Sequence, residues 1–218
     1  MVIVFDLDDT LYEELSFVRS GIKAVSVFLE PILKISKEQI AHEIELLLSK
    51  ARDQLFDRYL ASKGITKKSL VKQCVAIYRA HTPEIQLSKE AKNCLIRLQS
   101  HPLYVVTDGN HRVQRNKFKA LGLESQIKRC FFTYSHGRHR SKPSPYCFER
   151  ICAIEKVKPN QVVYVADNPN KDFVGIKPLG FHTIRVLTGP YATMKVEPEK
   201  DAERTILSLD QLTDSIIM

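Results

Sequence analysis

Long apolar runs are missing from this chain of 218 residues. No stretch comes near the roughly 18 apolar residues that a membrane-spanning helix needs. The opening run, Met1-Val2-Ile3-Val4-Phe5, meets Asp6, Asp8 and Asp9, too soon for a secretory signal or a span. Cysteine is scarce and unpatterned. The five cysteines (Cys74, Cys94, Cys130, Cys147, Cys152) include no C-x-x-C pair, which argues against a zinc ribbon and for reduced thiols in a cytoplasmic protein. Internal repeats and low-complexity linkers are lacking too. A composition of 44% hydrophobic and 27% charged residues excludes wholesale disorder and a collagen-like fibre.

What is present is a cationic surplus. Lys and Arg total 33 against 25 Asp and Glu, a formal net charge of +8. Such a surplus favours anionic partners without choosing between phosphorylated metabolites, nucleic acid and anionic lipid. The length suits one full domain carrying a smaller insertion.

Short apolar runs recur at Val2–Phe5, Leu103–Val106, Cys130–Thr133, Val162–Ala166 and Thr183–Leu187. Runs this short and continuous fit strands buried on both faces of a parallel sheet. Helical patterns lie between them, at Ser88–Gln99, Val113–Leu121, Ser144–Ile154 and Lys171–Leu179. The alternation predicts an open α/β sheet, with right-handed crossovers bringing the strands' carboxyl ends to one rim. From Glu13 to Thr82 no strand is visible. Ala41, Ile44, Leu47, Leu48, Ala51, Leu55 and Tyr59 keep the three-and-four spacing of one amphipathic helix, Gly64 is a stop, and Ser69–Ala80 reads as a further helix. The expected division is an α/β core of residues 1–13 and 84–218, interrupted by a helical domain of residues 14–83.

Chemistry-bearing residues gather at the strand ends. Asp6-Leu7-Asp8-Asp9-Thr10 follows the first strand, and side chains two apart in an extended segment leave on the same side. Two carboxylates there suit a hard cation or a nucleophile with an acid/base, and an isolated D-x-D suits a solvated loop equally well. An EF-hand is a poor fit, because Thr10 is followed by Leu11 where a glycine belongs. Thr107-Asp108-Gly109 offers a hydroxyl and turn N–H groups to a phosphate oxygen, or is just a turn. In Ser141-Lys142-Pro143-Ser144-Pro145, Ser144 serves as a helix cap, and Lys142 is either a fixed cation beside that helix or a surface lysine. Asp167 ends the strand Val162–Ala166, and Asp172 follows five residues later.

In this order the four places resemble the haloacid dehalogenase superfamily: Asp6/Asp8/Thr10, then Thr107, then Lys142, then Asp167/Asp172. The match spans the chain, because the helical segment falls where one branch of the family inserts a cap domain. Ala166 and Asp108 depart from the Gly and Asn found at these positions in many members. The resemblance implies a Rossmann-like core with helices on both sheet faces and a small all-α cap. The implied activity is a Mg²⁺-dependent phosphatase acting on a small phosphorylated metabolite. Asp6 is the implied nucleophile, forming an aspartyl-phosphate, and Asp8 the acid/base, with a pKa raised by the crowded carboxylates. Thr107, Asp108, Gly109 and Lys142 are the implied phosphate binders. The implied metal ligands are Asp6, Asp167, Asp8 through its backbone carbonyl, and Asp172 at one remove. Asp8 separates phosphatases, and a phosphoglucomutase-like branch, from dehalogenases, which do not keep an aspartate there.

The helical segment is expected to close over the site and touch the leaving group, with Tyr12, Arg19 and Lys23 as candidates and Gly21 either giving room or breaking a helix. From His111 to Arg150 ten Lys or Arg face only Glu124 and Glu149. A nucleic-acid-binding module is therefore the non-enzymatic alternative, with salt-sensitive affinity. His136 and His139 lack a third ligand for zinc.

Overall fold

A computed structural model describes residues 1–217 of the chain. It divides into two compact units, Met1–Glu14 with Gln86–Met218, and Leu15–Ile85. In the first, six strands form one parallel sheet: β1 (Val2–Phe5), β2 (Leu103–Thr107), β3 (Arg129–Phe132), β4 (Val162–Ala166), β5 (His182–Val186) and β6 (Arg204–Ile206). Their order is β3-β2-β1-β4-β5-β6, and every pairing is parallel. The fold is the Rossmann-like α/β class that the sequence predicts. Two-residue alternation builds its core. Val2, Val4, Tyr104, Val106, Val162, Tyr164 and Ala166 pack on one face with Phe148, Phe173 and Phe181, while Ile3, Phe5, Val105, Val163 and Val165 are buried on the other. Each such aliphatic or aromatic side chain contributes about 1.5–3 kcal/mol by leaving water.

β1 lies between β2 and β4, with Phe5 level with Val105 and Val165. Chain order reverses across β1, so the carboxyl ends of three neighbouring strands flank a topological switch point, where ligands bind in such sheets. Asp6, Thr107 and Asp167 stand at those ends by register alone.

The second unit is four helices: α1 (Glu14–Leu33), α2 (Lys37–Leu48), α3 (Leu55–Ser62) and α4 (Lys68–Ala80). The single amphipathic helix expected across Ala41–Tyr59 is two. Ser49 caps α2, its hydroxyl donating to the Leu46 carbonyl, and Gln54 adopts a left-handed conformation that no continuous helix tolerates. The Arg58 guanidinium closes the break by donating to the carbonyls of Ala51 and Asp53. Gly21 neither opens a site nor breaks α1. A Cβ there would lie 2.4 Å from the Tyr78 ring, so the glycine lets α4 approach α1.

The first unit resumes with α5 (Lys89–Arg97), α6 (His111–Ala120), α7 (Tyr146–Glu155) and the short α8 (Asp214–Ile217). The α5 and α6 starts are capped locally: Ser88 accepts from the Ala91 N–H, and Asn110 from those of Arg112 and Val113. Ser144 does not sit at the cap position of α7, although its hydroxyl accepts from the Tyr146 N–H at 3.4 Å. The helix expected over Lys171–Leu179 is only a 3₁₀ turn at Lys177–Leu179. Pro178 supplies no N–H, and Gly175 sits so close to the loop after Lys142 that a Cβ would lie 1.7 Å from the Pro143 carbonyl oxygen. β6 escapes the sequence reading because only three residues form it, two of them exposed. Among the described residues no helix is long and apolar enough to cross a membrane.

The Gly175 contact sets a stability test. Gly175→Ala must push apart two backbones, so a loss of about 1–3 kcal/mol and a melting temperature lower by several degrees are expected. An unchanged melting curve would contradict this account of the contact.

Candidate active site

Lys142 stands at the centre of the rim. Its ammonium lies 2.8 Å from Asp6 Oδ1, 2.7 Å from Asp172 Oδ1 and 2.9 Å from the Tyr164 hydroxyl. The side chains of Lys142, Asp6 and Asp172 are all at least nine-tenths buried. Tyr164 belongs to the β4 core face, packed edge-on to Phe148, and its polar tip alone reaches this cluster, donating to Asp172 at 3.1 Å. The other oxygen of Asp172 accepts from the Asn168 N–H. Burial by itself would lower the Lys142 pKa, but the carboxylates of Asp172 and Asp6 hold it well above the usual lysine value.

Asp167 completes the group. One carboxylate oxygen each from Asp6, Asp167 and Asp172 lie within 4.8 Å of one another, and all three residues are buried. Burial, then the neighbouring charges of Asp6 and Asp172, pushes Asp167 up to about 8. Burial also pushes Asp6 up to about 6, against the pull of Lys142. Around the rim the carboxylates of Asp6, Asp8, Asp108, Asp167 and Asp172 outnumber the ammonium groups of Lys117, Lys142 and Lys171. Hard oxygen donors that outnumber the neighbouring ammonium groups fit a small divalent cation such as Mg²⁺.

Asp8 faces a different environment, and the expectation of a raised pKa is corrected. Burial does raise it, but Lys117, Tyr12 and Gln114 together outweigh burial and hold the carboxyl below the usual aspartate value. The Lys117 ammonium lies 2.7 Å from Asp8 Oδ1, which also accepts from the Tyr12 hydroxyl, and Gln114 Nε2 lies 2.8 Å from Oδ2. The crowd of carboxylates is at Asp6, whereas the Asp8 side chain turns to α6. Its carboxylate is accordingly not among the three convergent metal-ligand atoms. Tyr12 is buried with its hydroxyl on Asp8, so its contact is with the acid/base candidate and not with a leaving group.

Thr107 ends β2, buried, with Gln114 Nε2 2.5 Å from its hydroxyl. Asp108 is engaged internally: Oδ1 accepts from Thr133 Oγ1 at 2.6 Å and from the Lys142 N–H at 3.2 Å, and Lys171 stands 3.8 Å from Oδ2. Its carboxylate therefore ties the ends of β2 and β3 to the Lys142 loop. Gly109 turns at φ +129°, beside the Gln114 side chain. Thr10 is buried and its hydroxyl finds no partner among the described residues.

The structure thus brings Asp6, Lys142, Asp167 and Asp172 into one cluster and links Asp8 with Thr107 through Gln114. Sequence reasoning missed Gln114, Lys117 and Tyr164. The first two sit three apart on α6, one helical face, which a polar stripe starting after Thr107-Asp108-Gly109 could have signalled. Nothing in the sequence marks Tyr164, which reads as core. Lys23 forms an exposed pair with Glu84, and Arg19 lines a cleft of about 440 Å³ in the helical unit with His42, Glu45 and Arg52. The basic stretch is not one free face. Lys117 and Lys142 are buried in the site, Lys128 pairs with Glu155, and Arg140 lies 4.2 Å over the Tyr146 ring.

A glyceraldehyde 3-phosphate phosphatase of Methanocaldococcus jannaschii is 29% identical, covering 98% of this chain and 96% of its own. The enzyme of that name from Pyrococcus furiosus is 24% identical over 98% and 91%. Among solved structures, a 2-haloacid dehalogenase from Pseudomonas syringae has a TM-score of 0.65 at 21% identity, covering 97% of this chain and 96% of its own. A HAD phosphatase from Thermococcus onnurineus gives 0.59 at 20% identity, over 95% and 94%. The haloacid dehalogenase-like hydrolase family matches residues 1–180, and the chain belongs to that family.

Proposed function

We propose that this hydrolase is a Mg²⁺-dependent phosphatase that cleaves a small phosphate monoester through an aspartyl-phosphate at Asp6. The observation that carries the reading is the contrast between two aspartates two residues apart. Asp6 lies in a buried carboxylate cluster around Lys142, and Asp8 carries its own lysine on α6. The relatives named glyceraldehyde 3-phosphate phosphatase match nearly the whole chain, which makes a three-carbon phosphorylated metabolite the first substrate to try. Five unpaired cysteines support a reducing, cytoplasmic setting.

In this mechanism the Asp6 carboxylate attacks phosphorus in line, and the ester oxygen leaves on the far side. Lys142 keeps Asp6 oriented, and its positive charge stabilises the phosphoryl oxygens, one of which it reaches by giving up its hydrogen bond to Tyr164. The Thr107 hydroxyl and the turn N–H groups of Asp108 and Gly109 bind the remaining oxygens. Asp108 itself acts as a positioning residue through the Lys142 N–H. Asp8 is ionised at rest, so the proton for the leaving alkoxide must arrive with the substrate. A phosphate ester's second ionisation lies near pH 6, and a monoanion carries in a proton that Asp8 can take and pass on. Asp8 then accepts the proton of the water that cleaves the aspartyl-phosphate. Asp6 and Asp167, with Asp172 directly or through water, would hold the Mg²⁺, whose charge offsets the repulsion between carboxylate and phosphate. The helical unit Leu15–Ile85 is proposed as the cap that selects the leaving group.

Phosphate release from p-nitrophenyl phosphate is expected with Mg²⁺, to vanish with EDTA, and to fall by about a thousandfold or more in Asp6→Asn. An active Asp6→Asn variant would refute the assignment of the nucleophile.

The raised carboxyls give a second expectation. Folded Asp167 keeps a proton up to about pH 8, whereas the unfolded chain releases it above its ordinary value of 3.8. Between those limits the folded state binds more protons, so the metal-free protein loses stability as pH rises. Mg²⁺ removes that handicap by binding the ionised cluster. It should therefore raise the melting temperature more at pH 8 than at pH 5; an equal shift at both would contradict the assignment.

A further inference from the structure

Gln114 takes no part in the chemistry above, yet it is 2% exposed and bridges two residues that do. Its Nε2 lies 2.8 Å from Asp8 Oδ2 and 2.5 Å from Thr107 Oγ1. An amide nitrogen carries two hydrogens and offers no lone pair, so it donates in both directions. Asp8 can only accept here, because its other oxygen already receives Lys117 and Tyr12. The amide cannot flip without placing its oxygen against that carboxylate. Thr107 Oγ1 is consequently an acceptor towards Gln114, and its one hydrogen must point elsewhere.

We infer that Gln114 is a positioning residue that fixes the direction of the Thr107 hydroxyl, aiming its hydrogen at the phosphoryl group, and locks Asp8 to the same frame. An unanchored hydroxyl rotates and accepts as readily as it donates, which is useless to an anionic oxygen. The anchor itself is rigid. Gln114 lies in α6, its N–H bonded to the Asn110 carbonyl at 3.0 Å, one turn beyond the Asn110 cap. The Gly109 turn packs on its side chain, where even a Cβ would stand 3.3 Å from Gln114 Cγ. Phosphate donor and acid/base thus move together, which matters because small misplacements at a reacting centre are costly in rate. The inference rests on the phosphatase reading, since it assigns Thr107 a phosphoryl oxygen.

A double-mutant cycle on kcat/KM with p-nitrophenyl phosphate tests it. Gln114→Met keeps the shape and removes the donors, and is expected to cost about tenfold, with Thr107→Val costing a similar factor in the wild type. In the Gln114→Met background Thr107→Val is expected to cost less than about threefold, because its hydroxyl is no longer aimed. A role confined to packing would leave the two losses multiplicative, and that result overturns the inference. Should Gln114→Met not fold, the same cycle on Gln114→Glu decides, with non-multiplicative losses expected and multiplicative ones overturning it. Wild-type protein that turns over no phosphate ester would instead sink the phosphatase reading, and this inference with it.

Discussion

A buried ammonium ion is the constraint on which the rim of the core unit depends. Removing Lys142 from water costs several kcal/mol, which only close carboxylates and hydrogen-bond acceptors can offset. Asp6, Asp172 and Tyr164 meet that demand from three directions, so the ends of β1 and β4 and the loop before α7 must come together. The loop is further secured by Asp108 on the Lys142 N–H and by the Gly175 contact with Pro143. The pairing is unequal, because Asp167 joins the same cluster with no hydrogen bond or ion pair from the described residues. Burial first, then the charges of Asp6 and Asp172, raises its pKa, and Lys142 only partly offsets them.

The second half of the arrangement separates two chemically identical side chains. Asp6 and Asp8 stand two residues apart after the end of β1, but their partners differ. Asp6 shares its lysine with a second carboxylate, whereas Asp8 has Lys117 with a tyrosine and an amide for support. Opposite shifts follow, up for Asp6 and down for Asp8, and environments that push neighbouring carboxyls apart allow one to serve as nucleophile and the other as proton carrier. Gln114 links this second environment to the Thr107 hydroxyl. The parts are thus joined by hydrogen bonds that run between strand ends and α6.

Much of this was legible in the sequence because parallel strands are short, apolar and followed by their functional residues. β1 and β4 begin and end where the apolar runs do, and Asp6, Thr107 and Asp167 inherit their positions from register. Residues whose partners come from a remote part of the chain were not legible. Gln114 and Lys117 look like ordinary helix-surface residues until α6 is laid against the end of β1, and Tyr164 looks like core because its ring is core and only its hydroxyl meets Lys142 and Asp172. The Asp8 shift was misjudged for the same reason: counting nearby carboxylates along the chain cannot reveal a lysine more than a hundred residues away. Helix ends set by three-dimensional contact also failed, as at Lys171–Leu179, where backbone proximity at Gly175 decides the conformation.

The central claim is that a covalent phosphoryl group forms on Asp6. Acid-quenched turnover mixtures of wild type and Asp8→Asn, in which hydrolysis of the intermediate is slowed, can be treated with borohydride, which reduces an acyl phosphate to the alcohol. Peptide mass spectrometry would then read homoserine at position 6, dependent on a phosphate ester and on Mg²⁺. Homoserine at another acidic position, or a burst of phosphate with position 6 unmodified in both proteins, would contradict the account.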